Sequence, residues 1–204
     1  MNRRVAGADG KPLAWGDETG VSTTLTCSAV FALTSSLAAG LNIADGMDRA
    51  KAWTDLAWKA ANTAWATLER TQTSSFPAHW SLTGQVKGED NAAAALALIF
   101  LGRRSGDVAL ESLLNRIKET APPPAEIMRD PRLLYLATLA GFQMGGDWWA
   151  WWDKTYRAGV PVAQRAGGCF EGSWDPPVGM TRGRLQSTAL ILLSLEVYYC
   201  YRKP

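Results

Sequence analysis

Apolar residues recur along this chain at three- and four-residue spacings, and no stretch alternates apolar with polar in a sustained strand pattern. The spacing predicts about seven helices, over 22–39, 46–70, 89–103, 106–119, 131–144, 147–165 and 183–201. Asp45, Asp90, Asp130 and Asp147 fall near helix starts, where a carboxylate takes up orphan backbone N–H groups. Gly40, Gly102, Gly106 and Gly145 fall near helix ends, as left-handed caps require. Residues 1–21 read as a leading loop, and 22–201 as helical hairpins within a single domain spanning 1–204.

The helices alternate in character. Those near 22–39, 89–101, 131–144 and 183–201 carry almost no charge, which predicts burial on all sides. Those between are amphipathic. Trp53, Ala57, Ala60, Ala64 and Leu68 share one face, with Lys51, Asp55 and Lys59 mostly turned away. Trp148, Trp152 and Tyr156 stack at i, i+4 and i+8, which leaves Trp149 and Trp151 as candidates for an exposed patch. Buried and half-buried helices in alternation predict an all-α fold with an inner and an outer helix layer. Gly- or Pro-containing loops join each outer helix to the next inner one, and Trp15, Trp80 and Trp174 mark three of these joints.

Composition narrows the function classes. The chain has 204 residues and 47% apolar content, enough for one sizeable core. A net charge of +2, with scattered Lys and Arg, gives no footprint for nucleic acid. Cys27, Cys169 and Cys200 are far apart and odd in number, which argues against a disulfide framework or a Cys-rich zinc site. A reduced, cytoplasmic setting follows as the expectation. Residues 19–44 lack charge but are rich in Ser, Thr, Gly and Ala, so a buried helix is expected there rather than a membrane span.

The joint QRAGGCFEGSWDPP, residues 164–177, leads into the apolar run GRLQSTALILLSLEVYYCYRKP. Gln, a Gly-x-Trp turn and an apolar inner helix in that order resemble the QW repeat of squalene–hopene and terpene cyclases. The prenyltransferase β-subunit repeat is a relative, and residues 164–201 are most similar to bacterial prenyltransferase and squalene-oxidase repeat proteins. A weaker copy runs from Gln72 to Trp80. The resemblance implies a partial α/α toroid, since roughly four hairpins are fewer than a closed ring has. An open arc, half of a dimer, or the end of a longer protein would each fit. It also implies a structural motif of Gln164, Gly168, Gly172, Trp174 and Arg184. Gln164 would bind backbone groups near the start of the last helix, with Trp174 packed beside it.

The chemistry of the catalytic relatives is missing from the sequence. No DxDD acid run exists, and His79, the single histidine, has no Cys at zinc-ligand spacing. No cofactor or metal is expected. Gly-Cys-Phe-Glu-Gly around Cys169 lacks the Gln of a thioester motif, so a plain loop cysteine is the reading. Asp175 and Glu196 are the two candidate catalytic acids, each set against a structural role. For Asp175 that role is closing a turn or capping a helix. For Glu196 it is a buried ion pair, since it shares a face with Ala189, Leu192 and Tyr199. Arg182 and Arg184, whose charge opposes the helix macrodipole, are expected to pair with Asp175 or Glu171.

Three functions are therefore carried forward. The first is a non-catalytic repeat scaffold presenting an apolar concave surface, including Trp149, Trp151 and Tyr199, to a partner protein or an isoprenoid-like ligand, with homo-oligomers among the possible assemblies. The second is a reduced terpene-cyclase-like or isoprenoid-processing enzyme using a carboxylic acid. The third is a carbohydrate-binding or lyase-type toroid.

Overall fold

The computed structural model describes residues 4–6, 12–17, 20–21, 23–43, 45–52, 88–176 and 183–199. Helices α1 (Thr23–Ala38), α2 (45–52), α3 (Gly88–Phe100), α4 (Val108–Thr120), α5 (Pro131–Met144), α6 (Gly146–Tyr156), α7 (Gly159–Val162) and α8 (Gly183–Tyr199) follow in order. The fold class is all-α. The rest of the expected helix over 46–70, the Gln72–Trp80 copy and His79 lie outside the described residues. Contacts divide the chain into two compact units, Met1–Ile117 and Lys118–Pro204.

In the first unit, the residues described before α1 correct the leading-loop expectation. Strands β1 (Arg4–Ala6), β2 (Pro12–Asp17) and β3 (Gly20–Val21) pair antiparallel in the order β1-β2-β3. Strands of two to six residues complete too few alternations for a periodic signal to rise above the helical background. Helix α3 is buried continuously from Asn91 to Ile99 against α1, as its lack of charge predicted. Helix α1 is not. Thr26, Cys27 and Val30 are buried, while Leu37 and the polar positions opposite face water. A charge-free helix can therefore still have an uncovered side.

The second unit is built around α5. Asp130 caps it by accepting from the Leu133 N–H at 2.9 Å, with Pro131 at the first helical position, where no donor is needed. Only Gly145 separates α5 from α6, and its φ of 68° with ψ of −151° is open to glycine alone. That one-residue hinge folds α6 back onto α5. Gly141 permits the contact, because a Cβ there would lie 2.2 Å from a ring carbon of Trp148. Gly141→Ala is expected to destabilise this unit by about 1–3 kcal/mol through overpacking, read as a lower midpoint in urea unfolding.

The helix expected over 147–165 is two helices. Pro161 has no N–H to return to the Arg157 carbonyl, and its ring crowds that carbonyl. Gly159 weakens the same turn. The chain accordingly leaves α6 after Tyr156, turns through Arg157–Ala158 and restarts as the short α7.

Along α6, the indoles of Trp148 and Trp152 stack at 5.3 Å and 9°, and Trp152 meets Tyr156 at 4.3 Å. Trp152 is fully buried and donates Nε1–H to Thr138 Oγ1 at 2.9 Å. The Thr138 hydroxyl in turn meets the Tyr198 hydroxyl at 3.3 Å, linking α5, α6 and α8. Burial pushes the Tyr198 phenol up to about 12. A phenol raised in the folded state contributes stability that is full below the unfolded value near 10 and lost as pH climbs toward 12. Alkaline titration is thus expected to remove on the order of 2 kcal/mol between those limits. Tyr198→Phe would flatten that part of the stability–pH curve.

Helix α8 packs on α5, with Ser187, Ile191, Ser194 and Val197 on its buried side. The opposite side, with Leu185, Leu192, Leu193 and Tyr199, is exposed. Burial on all sides, predicted for this helix, is therefore corrected to burial on one. Serines bring the α8 backbone close to α5, and the leucines are left pointing outward.

Candidate functional site

Between α7 and α8, residues 165–173 form a closed loop. Arg165 and residues 172–173 exchange backbone hydrogen bonds, Arg165 N–H to Ser173 O and Gly172 N–H to Arg165 O, both at 2.9 Å. Gly168 and Gly172, at φ 82° and 79°, make the reversals between them. Gln164 Nε2 donates to the Gly172 carbonyl at 2.7 Å. The tie predicted for Gln164 thus falls within its own loop, not at the start of α8. A side-chain amide donates as well as accepts, and the turned carbonyl of Gly172 is nearer along the chain.

Trp174 fastens the loop to both neighbouring helices. Its ring is buried, its Nε1–H donates to Val160 O of α7 at 2.9 Å, and its N–H donates to Thr188 Oγ1 of α8 at 3.2 Å. Asp175 completes the joint. Its carboxylate bridges Arg165, 3.1 Å away at the loop start, and Arg184, 2.6 Å away in the first turn of α8. Arg184 also donates to Ser173 Oγ and lies 4.2 Å over the Phe170 ring. The predicted partner for a cation on the wrong end of the macrodipole is therefore Asp175.

Hydrogen bonds from Arg165 and then Arg184 hold the Asp175 carboxyl below its ordinary value. A carboxylate kept ionised by two guanidiniums is a poor proton donor. It sits at the edge of an open cleft of about 610 Å³, with Ala125, Met128, Arg129, Ala163, Trp174 and Pro176 as the other walls.

The other candidates lie elsewhere. Glu196 is exposed on the outward face of α8, correcting the expectation of a buried pair or a cavity-lining acid. Trp149 and Trp151 are half-buried rather than forming an exposed patch. Trp149 stacks on Tyr198 at 5.5 Å and meets Phe142 edge-on, and Trp151 meets Trp148, Trp152 and Tyr156, with Lys118 Nζ 5.2 Å from its ring. Trp149 is covered by Phe142 of α5 and Tyr198 of α8, which residue spacing within α6 does not reveal, whereas the rings around Trp151 belong to α6 itself. Tyr199 is exposed, as a surface residue should be. Cys169 is exposed on the loop, and Cys27 is fully buried, its thiol pushed up by burial and by the charge of Asp90. Among the described residues no group of three or more His, Cys, Asp or Glu is placed to hold a metal ion. No described helix is long and apolar enough to cross a membrane.

Leu185, Ala189, Leu192, Glu196 and Tyr199 all face solvent, at alternating spacings of four and three, with Leu193 beside them. The sequence puts Ala189, Leu192, Glu196 and Tyr199 on one face, but apolar residues on both sides of α8 do not reveal that this face is uncovered. No protein-family model matches the chain, and no curated protein or solved structure matches it.

Proposed function

We propose that this protein is a non-catalytic helical scaffold that presents an apolar surface to a partner protein or a hydrophobic ligand. The observation that carries the reading is the outward face of α8, where four large apolar side chains stand in water. An exposed apolar patch of a few hundred Å² is often functional. The two acids put forward for catalysis argue the same way. Asp175 is engaged by two arginines, and Glu196 is exposed on the apolar stripe itself. An isoprenoid-processing enzyme would call for a closed aromatic cavity with a neutral acid inside. A sugar site would call for open Trp rings beside carboxylates, and Trp149 and Trp151 are stacked among other rings. The partial α/α toroid is the architecture in which we place this face, on the strength of the 164–201 motif.

The face can be probed with a hydrophobic fluorophore at sub-micromolar protein. Emission is expected to rise on the native chain and to fall several-fold in Leu192→Glu. Val162→Glu, at an exposed apolar residue away from α8, is expected to keep it. Emission indifferent to Leu192 would remove the reading's main support.

A further inference from the structure

The outward face of α8 has a pattern more specific than apolar exposure. Leu185, Ala189, Leu192, Glu196 and Tyr199 follow spacings of four, three, four and three. A 3.5-residue repeat is the seam by which one helix lies along another, and a broader apolar face would be needed to sit on a globular core. The occupant that fits is therefore a helix.

We infer that this helix is α8 of a second copy, packed antiparallel across Leu192. The inference rests on reading the face as an interaction surface and names its partner. Leu185 lies seven residues before Leu192 and Tyr199 seven after, so the ends of the stripe are equidistant from Leu192. An antiparallel pairing of Leu192 with Leu192 sets Leu185 against Tyr199 twice. It sets Glu196 opposite Thr188, one residue from the small Ala189, which leaves that carboxylate room to reach solvent. A parallel pairing in register would instead face Glu196 with Glu196 at the seam, where like charges repel. The one charge on the stripe thus selects the antiparallel arrangement.

Area sets the strength. Leu185 is 82% exposed, Leu192 51%, Leu193 40% and Tyr199 64%. Side chains of this size expose roughly 450 Å² per copy, about 900 Å² over two copies, below stable interfaces and in the range of transient ones. The dimer is accordingly weak and concentration-dependent, and the micromolar range and above is where it is sought.

Sedimentation velocity on the full chain across that range tests the pairing. The native chain is expected to shift from monomer to dimer, and Leu192→Glu to weaken the dimer at least roughly tenfold with an unchanged circular dichroism spectrum. Should Leu192→Glu misfold, cysteine pairs in a Cys169→Ser, Cys200→Ser background give an independent reading. Leu192→Cys is expected to cross-link to itself and Glu196→Cys not to. A dimer that survives Leu192→Glu, or that links through Glu196→Cys but not Leu192→Cys, overturns the antiparallel α8 pairing. A native chain that stays monomeric also overturns it. Fluorophore binding lost in Leu192→Glu would then still support the apolar-surface reading, whereas binding unaffected by that change would end both.

Discussion

Trp174→Ala is expected to lower the stability of the 118–204 unit by about 3–5 kcal/mol, the range for emptying a fully packed aromatic site. Three effects add. The buried ring leaves a cavity, the Val160 carbonyl loses its 2.9 Å donor, and the loop loses its main attachment between α7 and α8. Trp174→Phe separates the contributions, since it keeps much of the volume and drops only the indole hydrogen bond. It should cost about 1–2 kcal/mol. Urea unfolding gives both values. Hydrogen exchange on α8 provides a local check, because its amides should exchange faster in Trp174→Ala if the joint holds that helix in place. Equal effects of Ala and Phe would mean that the hydrogen bond, not the packing, secures the loop.

Trp152→Ala is expected to cost a similar 3–5 kcal/mol for a different reason. Trp152 lies between Trp148 and Tyr156 in the aromatic ladder, and its Nε1–H is the donor to Thr138. Removing it empties the interior of the second unit and takes away one partner of the Thr138–Tyr198 pair. Because the Trp148 and Trp152 rings lie 5.3 Å apart, their indole transitions are close enough to interact, and the aromatic circular dichroism should change in the variant. An aromatic spectrum unchanged in Trp152→Ala would show that this pair does not contribute to it.

Much of the helical order was legible because its causes are local. The Asp130 cap and Pro131 mark the start of α5, and Gly145 marks its end. The Trp148, Trp152 and Tyr156 ladder follows from helical spacing alone. The Arg184–Asp175 pair was legible from electrostatics, since a cation at a helix start needs a carboxylate. The break at Arg157–Ala158 was also within reach, because Gly159 and Pro161 oppose a continuous helix there.

What stayed hidden depends on tertiary partners. Absence of charge allows burial but does not supply a neighbour. So α3 is covered along its length, while α8, equally apolar, is covered on one side. The direction of the Gln164 amide was open because it offers both a donor and an acceptor. The short strands before α1 gave too few alternations to be seen. The joint 164–177 itself reads well as a fastening. Its Trp, Asp and Gln each hold one part of the chain to another, and its cysteine is left exposed.

Native mass spectrometry of the purified 204-residue chain, beside Leu192→Glu, tests most directly the claim that the outward face of α8 is the working surface. The prediction is a species heavier than the 22.1 kDa chain, by a second copy or by a hydrophobic ligand, that is lost in the variant. An added mass that Leu192→Glu leaves in place would contradict it, and a bare monomer in both samples would remove the second copy and the ligand as occupants of the face.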